Sequence, residues 1–176
     1  PISTQLLLRR KMPRATIDEL CDACVQGDLS LVSKLLRRNG RLVDKSDSKD
    51  WTPLARACWC GHKHVVRLLL ERGASINLAR NNGSTPLYLA CDNGQESTAR
   101  LLLEKGASAD LATDEGCTPL FVACTHGHES TARLLLDKGA SIDLAQNEGA
   151  PPLFVACHEG HAPTARLLLD KVRAEE

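Results

Sequence analysis

The chain has 176 residues, with 22 Lys and Arg against 22 Asp and Glu, so its formal net charge is zero. That balance argues against a general nucleic-acid binder, which shows a net basic face. No apolar run approaches the ~20 residues of a membrane-spanning helix. Aromatic side chains make up only 3 %, so a core has to be assembled from Leu, Ala, Val and Cys, which suits thin helical layers.

In chain order, residues 1–15 form a lead-in with no secretory pattern of basic start, apolar middle and small-residue cleavage site. Arg9, Arg10 and Lys11 with Arg14 read as a nuclear-import or other basic contact, or as a solvated approach to the first helix. Leu6, Leu7 and Leu8 are placed to pack on the near end of the helical layers.

From residue 16 the chain repeats itself, and such self-similarity is the first thing to read. Thr52-Pro53-Leu54 recurs as Thr85-Pro86-Leu87, Thr118-Pro119-Leu120 and Pro151-Pro152-Leu153, at a constant step. Gly61, Gly94, Gly127 and Gly160 keep the same step, as do the Leu triplets that begin at Leu68, Leu101, Leu134 and Leu167. Gly73-Ala74, Gly106-Ala107 and Gly139-Ala140 form a further column. The copies are residues 47–79, 80–112, 113–145 and 146–176. A degenerate copy over residues 16–46 precedes them, in which Leu20, Ala23, Cys24, Gly27, Val32, Leu35 and Leu36 match Leu54, Ala57, Cys58, Gly61, Val66, Leu69 and Leu70.

Each copy predicts turn, helix, turn, helix. Thr before Pro is a helix start, because the hydroxyl accepts a backbone N–H and Pro needs no donor at the first helical position. Gly61 ends a short first helix, over roughly 53–60, at low conformational cost. Val65, Val66, Leu68, Leu69 and Leu70 then mark a second helix that ends at Gly73. In the degenerate copy Thr16 and Glu19 form a capping box, and Asn39 is the expected left-handed substitute for Gly73. Its polar residues suit a terminal repeat with one wet face.

These motifs resemble the ankyrin repeat: a Thr-Pro-Leu-His-x-Ala start, a Gly-His turn, a Leu-Leu second helix and a Gly-Ala exit, here over about residues 17–171. The family's His after Leu is Ala55, Tyr88, Phe121 and Phe154 in this chain. The hairpin Gly is present as Gly83, Gly116 and Gly149 but is Asp50 in the first full copy, and Pro151 replaces the capping Thr. The resemblance implies an all-α solenoid of stacked antiparallel helix pairs with projecting hairpin loops, engaged in protein–protein recognition. It also implies that Asn77, Asp110 and Asp143 occupy a hairpin position that can undergo asparaginyl hydroxylation.

Of the eight cysteines, Cys24, Cys58, Cys91, Cys124 and Cys157 share one first-helix column. Helix axes in a stack lie about 8–10 Å apart and disulfide Cα atoms need about 7 Å or less, so neighbouring members of this column are poorly placed to bridge. These thiols are expected to fill a small buried gap in a reducing compartment, cytoplasmic or nuclear. Cys60 and Cys117 are expected to be the reactive ones. The Cys21-x-x-Cys24 pair lacks a second pair, and Cys124, His126, His128 and Cys157, His158, His161 lack four convergent ligands. His62, His128 and His161 fall in the structural turn column, so no metal or cofactor is expected. No nucleophile elbow, phosphate loop or catalytic triad is present, and the chain is read as non-enzymatic.

In such a stack the hairpin tips and the exposed flank of each first helix are free to vary. The residues assigned to partner binding there are Lys49, Trp51, Arg56 and Trp59; Asn82, Ser84, Tyr88, Asp92 and Asn93; Glu115, Cys117, Phe121, Thr125 and His126; and Glu148, Phe154, His158 and Glu159. All five aromatics fall in these columns, and Trp and Tyr are enriched in binding hot spots. Tyr88, Phe121 and Phe154 can equally pack between first helices. Acidic residues increase toward the later copies, so an apolar or aromatic anchor flanked by basic groups is the expected partner chemistry. The column Arg67, Arg100, Arg133 and Arg166, offset by Glu71, Glu104, Asp137 and Asp170 four residues on, reads as a solvated outer face. The competing reading is a structural spacer or assembly subunit held through its ends. At the last copy Val172 replaces the exit Gly, so the second helix is expected to run on. The copy keeps interior-type residues, so either the array continues, a partner covers that end, or the charged tail serves as a cap.

Overall fold

The computed structural model describes residues 15–175, so the expectations for residues 1–14 lie outside the described residues. Ten α-helices follow in pairs: α1 (Ile17–Gln26) with α2 (Leu29–Arg38), α3 (Pro53–Trp59) with α4 (Lys63–Glu71), α5 (Pro86–Asp92) with α6 (Glu96–Glu104), α7 (Pro119–Thr125) with α8 (Glu129–Asp137), and α9 (Pro152–His158) with α10 (Ala162–Glu175). Each odd-numbered helix packs on the next odd-numbered one and each even-numbered helix on the next even-numbered one. The described residues thus form two helical layers, with no strand among them.

Local chemistry explains the pairs. Thr52, Thr85 and Thr118 hold extended backbone and accept the N–H groups of Ala55, Tyr88 and Phe121 at 3.1 Å. Pro151 keeps the same backbone angles without a side-chain cap. The expected capping box is present, Glu19 N–H donating to Thr16 Oγ1 and Thr16 N–H to Glu19 Oε2, each at 3.2 Å. At the turn after α3, Gly61 takes φ 75° while His62 N–H donates to Ala57 O at 2.9 Å and Gly61 N–H to Cys58 O at 3.1 Å, the double closure typical of a left-handed helix stop. Between the layers, Leu54, Leu87 and Leu120 are fully buried with Leu69, Leu102 and Leu135. Each such leucine contributes about 1.5–3 kcal/mol of burial.

Two expectations need correction. Asn39 is not left-handed: its φ is −151°. The chain instead forms a short 3₁₀ turn over Gly40–Leu42. The alignment to later copies slips by one residue here, so Asp44 corresponds to Asn77, and the turn absorbs the extra residue. The outer arginines also pair in the other direction. Arg100 meets Glu96 and Arg133 meets Glu129, both at 2.7 Å, because helical side chains lean toward the N-terminus and an Arg reaches back one turn. Asn77 and Asp110, in the hairpin position that the resemblance singles out, also tie neighbouring pairs together. Their side chains accept the N–H groups of Ser108 and Ser141, and Asp44 does the same for Ser75.

Candidate functional site

Each hairpin is closed on itself. Arg80 N–H donates to Ser84 O at 3.0 Å, and Asp47–Trp51, Thr113–Cys117 and Gln146–Ala150 repeat the bond. Neighbouring tips are tied as well, Asp114 N–H to Asn82 O at 3.1 Å and Asn147 N–H to Glu115 O at 3.0 Å. Asp50 adopts φ 62°, standing in for glycine. Left-handed backbone costs an ordinary side chain about 1–2 kcal/mol; here the Asp50 carboxylate also accepts Asn81 N–H from the next hairpin.

Around the first hairpin the predicted residues converge. Trp51 and Trp59 stand edge to face, with ring centroids 5.6 Å apart. The Arg56 and Arg80 guanidiniums lie over the Trp51 ring at 4.6 and 4.0 Å, each worth about 0.5–2 kcal/mol. Arg80 Nε also donates to Asp50 O at 3.3 Å. Beneath them Asp47 accepts from Arg56 at 2.7 Å and from the N–H groups of Lys49 and Trp51 at 2.9 Å. Burial pushes the Asp47 carboxyl upward, but these donors and the Arg56 charge outweigh it and leave the carboxyl below its ordinary pKa. Trp59 remains exposed, at 40 %, and Lys49 is exposed in the first hairpin. The result is an ordered aromatic platform.

Farther along, Asn82, Glu115 and Glu148 are exposed at the tips. His126 Nε2 lies 3.0 Å from Asp92 Oδ1 on the preceding inner helix. Tyr88 and Phe121 are half-buried against the core, in keeping with packing between first helices, and burial with the Asp92 charge pushes the Tyr88 hydroxyl up to about 12. Asn93 and Thr125 are half-buried, donating to Leu89 O and Phe121 O, and Cys117 N–H is held by Thr113. At the last pair Phe154 is 58 % exposed and stacks on His158, which contacts Glu159 at 3.0 Å. Ser84 is a correction: it is 3 % exposed, because its backbone carbonyl closes the hairpin and its N–H donates to Asn82 Oδ1 at 3.1 Å. It presents little to a partner.

Sequence reasoning missed Asp47 and Arg80, which build the Trp platform; an Arg two residues before a hairpin tip was the available signal. It also missed Leu78, Leu111 and Leu144, exposed at 38, 41 and 42 %. They recur at the repeat step and were legible as a column.

The turn histidines are structural. His62, His128 and His161 donate through Nε2 to the carbonyls of Val25, Asp92 and Thr125 on the preceding pair, at 2.8, 3.2 and 3.0 Å. All eight cysteines are free. Cys24, Cys58, Cys91 and Cys124 are buried, and burial raises their thiol pKa values. Cys60 and Cys117 are half-buried and raised as well. Cys157, expected to be buried with its column, is exposed, with no further helix pair packed on it among the described residues. Among the described residues no three metal-ligating side chains converge, and no helix is long and apolar enough to cross a membrane.

Paired helices in two continuous layers, with variable loop tips on one edge, define a helical-repeat protein. A profile for "Ankyrin repeats (3 copies)" matches residues 20–113 and 105–175, so the chain belongs to the ankyrin-repeat family. Among curated relatives it is 43 % identical over 53 residues to "BTB/POZ domain-containing protein 3" of Schizosaccharomyces pombe, covering 30 % of this chain and 10 % of that one. It is 39 % identical over 61 residues to "Ankyrin repeat-containing protein YIL001W" of Saccharomyces cerevisiae, covering 35 % and 12 %. The chain therefore spans only about a tenth of the length of either relative. Ankyrin repeats are in general protein–protein interaction modules.

Proposed function

We propose that the chain holds a partner protein on a concave surface made of hairpin tips and the exposed flanks of α3, α5, α7 and α9, with no catalytic step. One observation carries this reading: Trp59 stands solvent-exposed on a base fixed by Trp51, Arg56, Arg80 and Asp47. A large aromatic held rigid before binding loses little conformational freedom on contact, which is how hot spots gain affinity. The acidic tips Asp114, Glu115 and Glu148 lie farther along the same edge, so the partner segment carries an apolar or aromatic anchor with basic residues beside it. Eight free thiols fit a reducing compartment, cytoplasmic or nuclear.

The test is a partner purified on this protein as bait and measured against Trp59→Ala, with Arg133→Ala on the outer layer as control. Trp59→Ala is expected to weaken binding about thirtyfold or more, equivalent to a hot spot of about 2 kcal/mol, with an unchanged melting curve. Undiminished binding by Trp59→Ala overturns the reading in favour of a spacer held through its ends.

A further inference from the structure

Neighbouring hairpins leave a gap between them, and the chain fills its gaps differently. At the first gap the second hairpin supplies the filling itself. Arg80 lays its guanidinium over the Trp51 ring at 4.0 Å and donates to the carbonyls of Asp50 and Lys49 at 3.3 and 3.4 Å. A ring on one side and a rim of acceptors on the other hold the cation there.

Two steps of the repeat carry Trp51 to Cys117, Arg80 to Gln146, Lys49 to Glu115 and Ala55 to Phe121. The gap between the third and fourth hairpins therefore lacks its own cation. Gln146 is shorter than Arg, and its amide oxygen is engaged by Glu148 N–H at 2.8 Å. What remains is a hollow of about 480 Å³ between residues 113–117 and 146–150. Phe121 and Cys117, both half-buried, give it an apolar wall. Asp114, Glu115 and Glu148, all exposed, give it three carboxylates. Among the described residues no basic side chain pairs with any of the three.

Building on the hairpin edge as the partner surface, we propose that this hollow takes an arginine side chain of the partner protein. Its stem lies against Phe121 and Cys117, and its guanidinium lies between Glu115 and Glu148. The occupant is the counterpart of Arg80, supplied from outside. Arginine suits the hollow better than lysine. Its planar fork meets two carboxylates at once, stacks on a ring and is weakly hydrated, whereas an ammonium is a compact, strongly hydrated point charge. The first gap, already filled by Arg80, takes no such residue.

The probe is a phage-displayed library of random peptides selected on the full chain. Enriched peptides are expected to carry arginine in preference to lysine. The tightest of them, synthesised, is expected to lose at least about tenfold in affinity when its arginine becomes neutral citrulline, the loss that follows from removing a charge-assisted contact. Glu115→Gln with Glu148→Gln in the chain is expected to give the same loss, and the citrulline peptide is then expected not to distinguish the two chains. Gln146→Arg, which seats the chain's own guanidinium in the hollow as Arg80 does at the first gap, is expected to block the peptide as well. A selection that yields no arginine-bearing peptide, an affinity unmoved by citrulline, or binding that survives either set of substitutions overturns the proposal. Trp59→Ala, run on the same peptides, separates the two readings. Peptides that respond to Trp59→Ala but not to the carboxylates overturn the arginine hollow and leave the partner surface standing. Peptides that respond to the carboxylates but not to Trp59→Ala support the hollow and remove the Trp platform from the contact.

Discussion

Asp47 and Arg56 meet at 2.7 Å across nine positions of chain, and the Asp47 side chain is only 7 % exposed. The pair fastens the first hairpin to α3 and orients the guanidinium that lies over Trp51. Asp47→Ala removes three accepted bonds at once and leaves Arg56 without its partner. It is expected to cost about 1–3 kcal/mol and to change the Trp fluorescence, checked by melting and emission spectra. Because the folded Asp47 pKa is depressed, its stabilisation is complete above the unfolded value near ~3.9 and disappears as pH falls through the lower folded one. The wild-type loss on acidification should therefore shrink in the variant.

Gly94→Ala and Gly160→Ala separate two effects that coincide elsewhere. Both glycines are left-handed, at φ 62° and 75°, so each substitution carries a conformational penalty of about 1–2 kcal/mol. Only at Gly94 does a ring stand in the way, His128 Nδ1 at 2.7 Å from the added carbon. Gly94→Ala is expected to destabilise clearly more than Gly160→Ala in urea titration, and His128→Ala in the same chain should narrow the gap.

Thr98, Thr131 and Thr164 are buried in the outer helices, and their hydroxyls have no hydrogen-bond partner. Val65 occupies the same column in the first full copy and is 1 % exposed. Replacing a buried unsatisfied hydroxyl by a methyl of similar shape gains about 1 kcal/mol. Each Thr→Val change is expected to raise Tm by about 3 °C in a chain of this size, and the three changes should nearly add. No gain in differential scanning calorimetry would contradict this account.

The thiols should react in a set order. Cys157 is expected to be alkylated first, Cys60 and Cys117 more slowly, and Cys24, Cys58, Cys91 and Cys124 only on unfolding. Burial holds the folded thiols above their ordinary pKa, Cys21 and Cys124 at about 12. The unfolded chain therefore releases protons first, and stability is full below about pH 8.5 and declines above it. A Tm that stays flat from pH 8 to 10 would be inconsistent with this.

The sequence makes the helix pairs legible because periodicity constrains every buried column at once. The Thr-Pro-Leu start and the Leu triplets each recur in phase, and the helices fall where those columns put them. Legibility ends where side chains from different copies meet. Nothing in the spacing ties His126 to Asp92, or Arg80 to Trp51, since these contacts depend on the lateral offset between neighbouring pairs. Asn39 misled because substitution tables capture its tolerance of left-handed backbone but not the extra residue just beyond it, which made a 3₁₀ turn the cheaper exit. Cys157 misled because column membership says nothing about whether another layer lies outside. Within the predicted surface set, Ser84 failed because its hairpin position is closed by its own backbone, whereas Trp59, Lys49 and Glu148 lie where their columns placed them.

The serine clasps, Ser75 on Asp44, Ser108 on Asn77 and Ser141 on Asp110, each join one pair to its immediate neighbour. A ladder of such short-range ties has no girder running its full length. Stretched between its termini, the molecule should come apart rung by rung, in a sawtooth of similar force peaks, rather than snap as a block. The pair started by Pro151, which lacks a capping hydroxyl, is the rung that yields first.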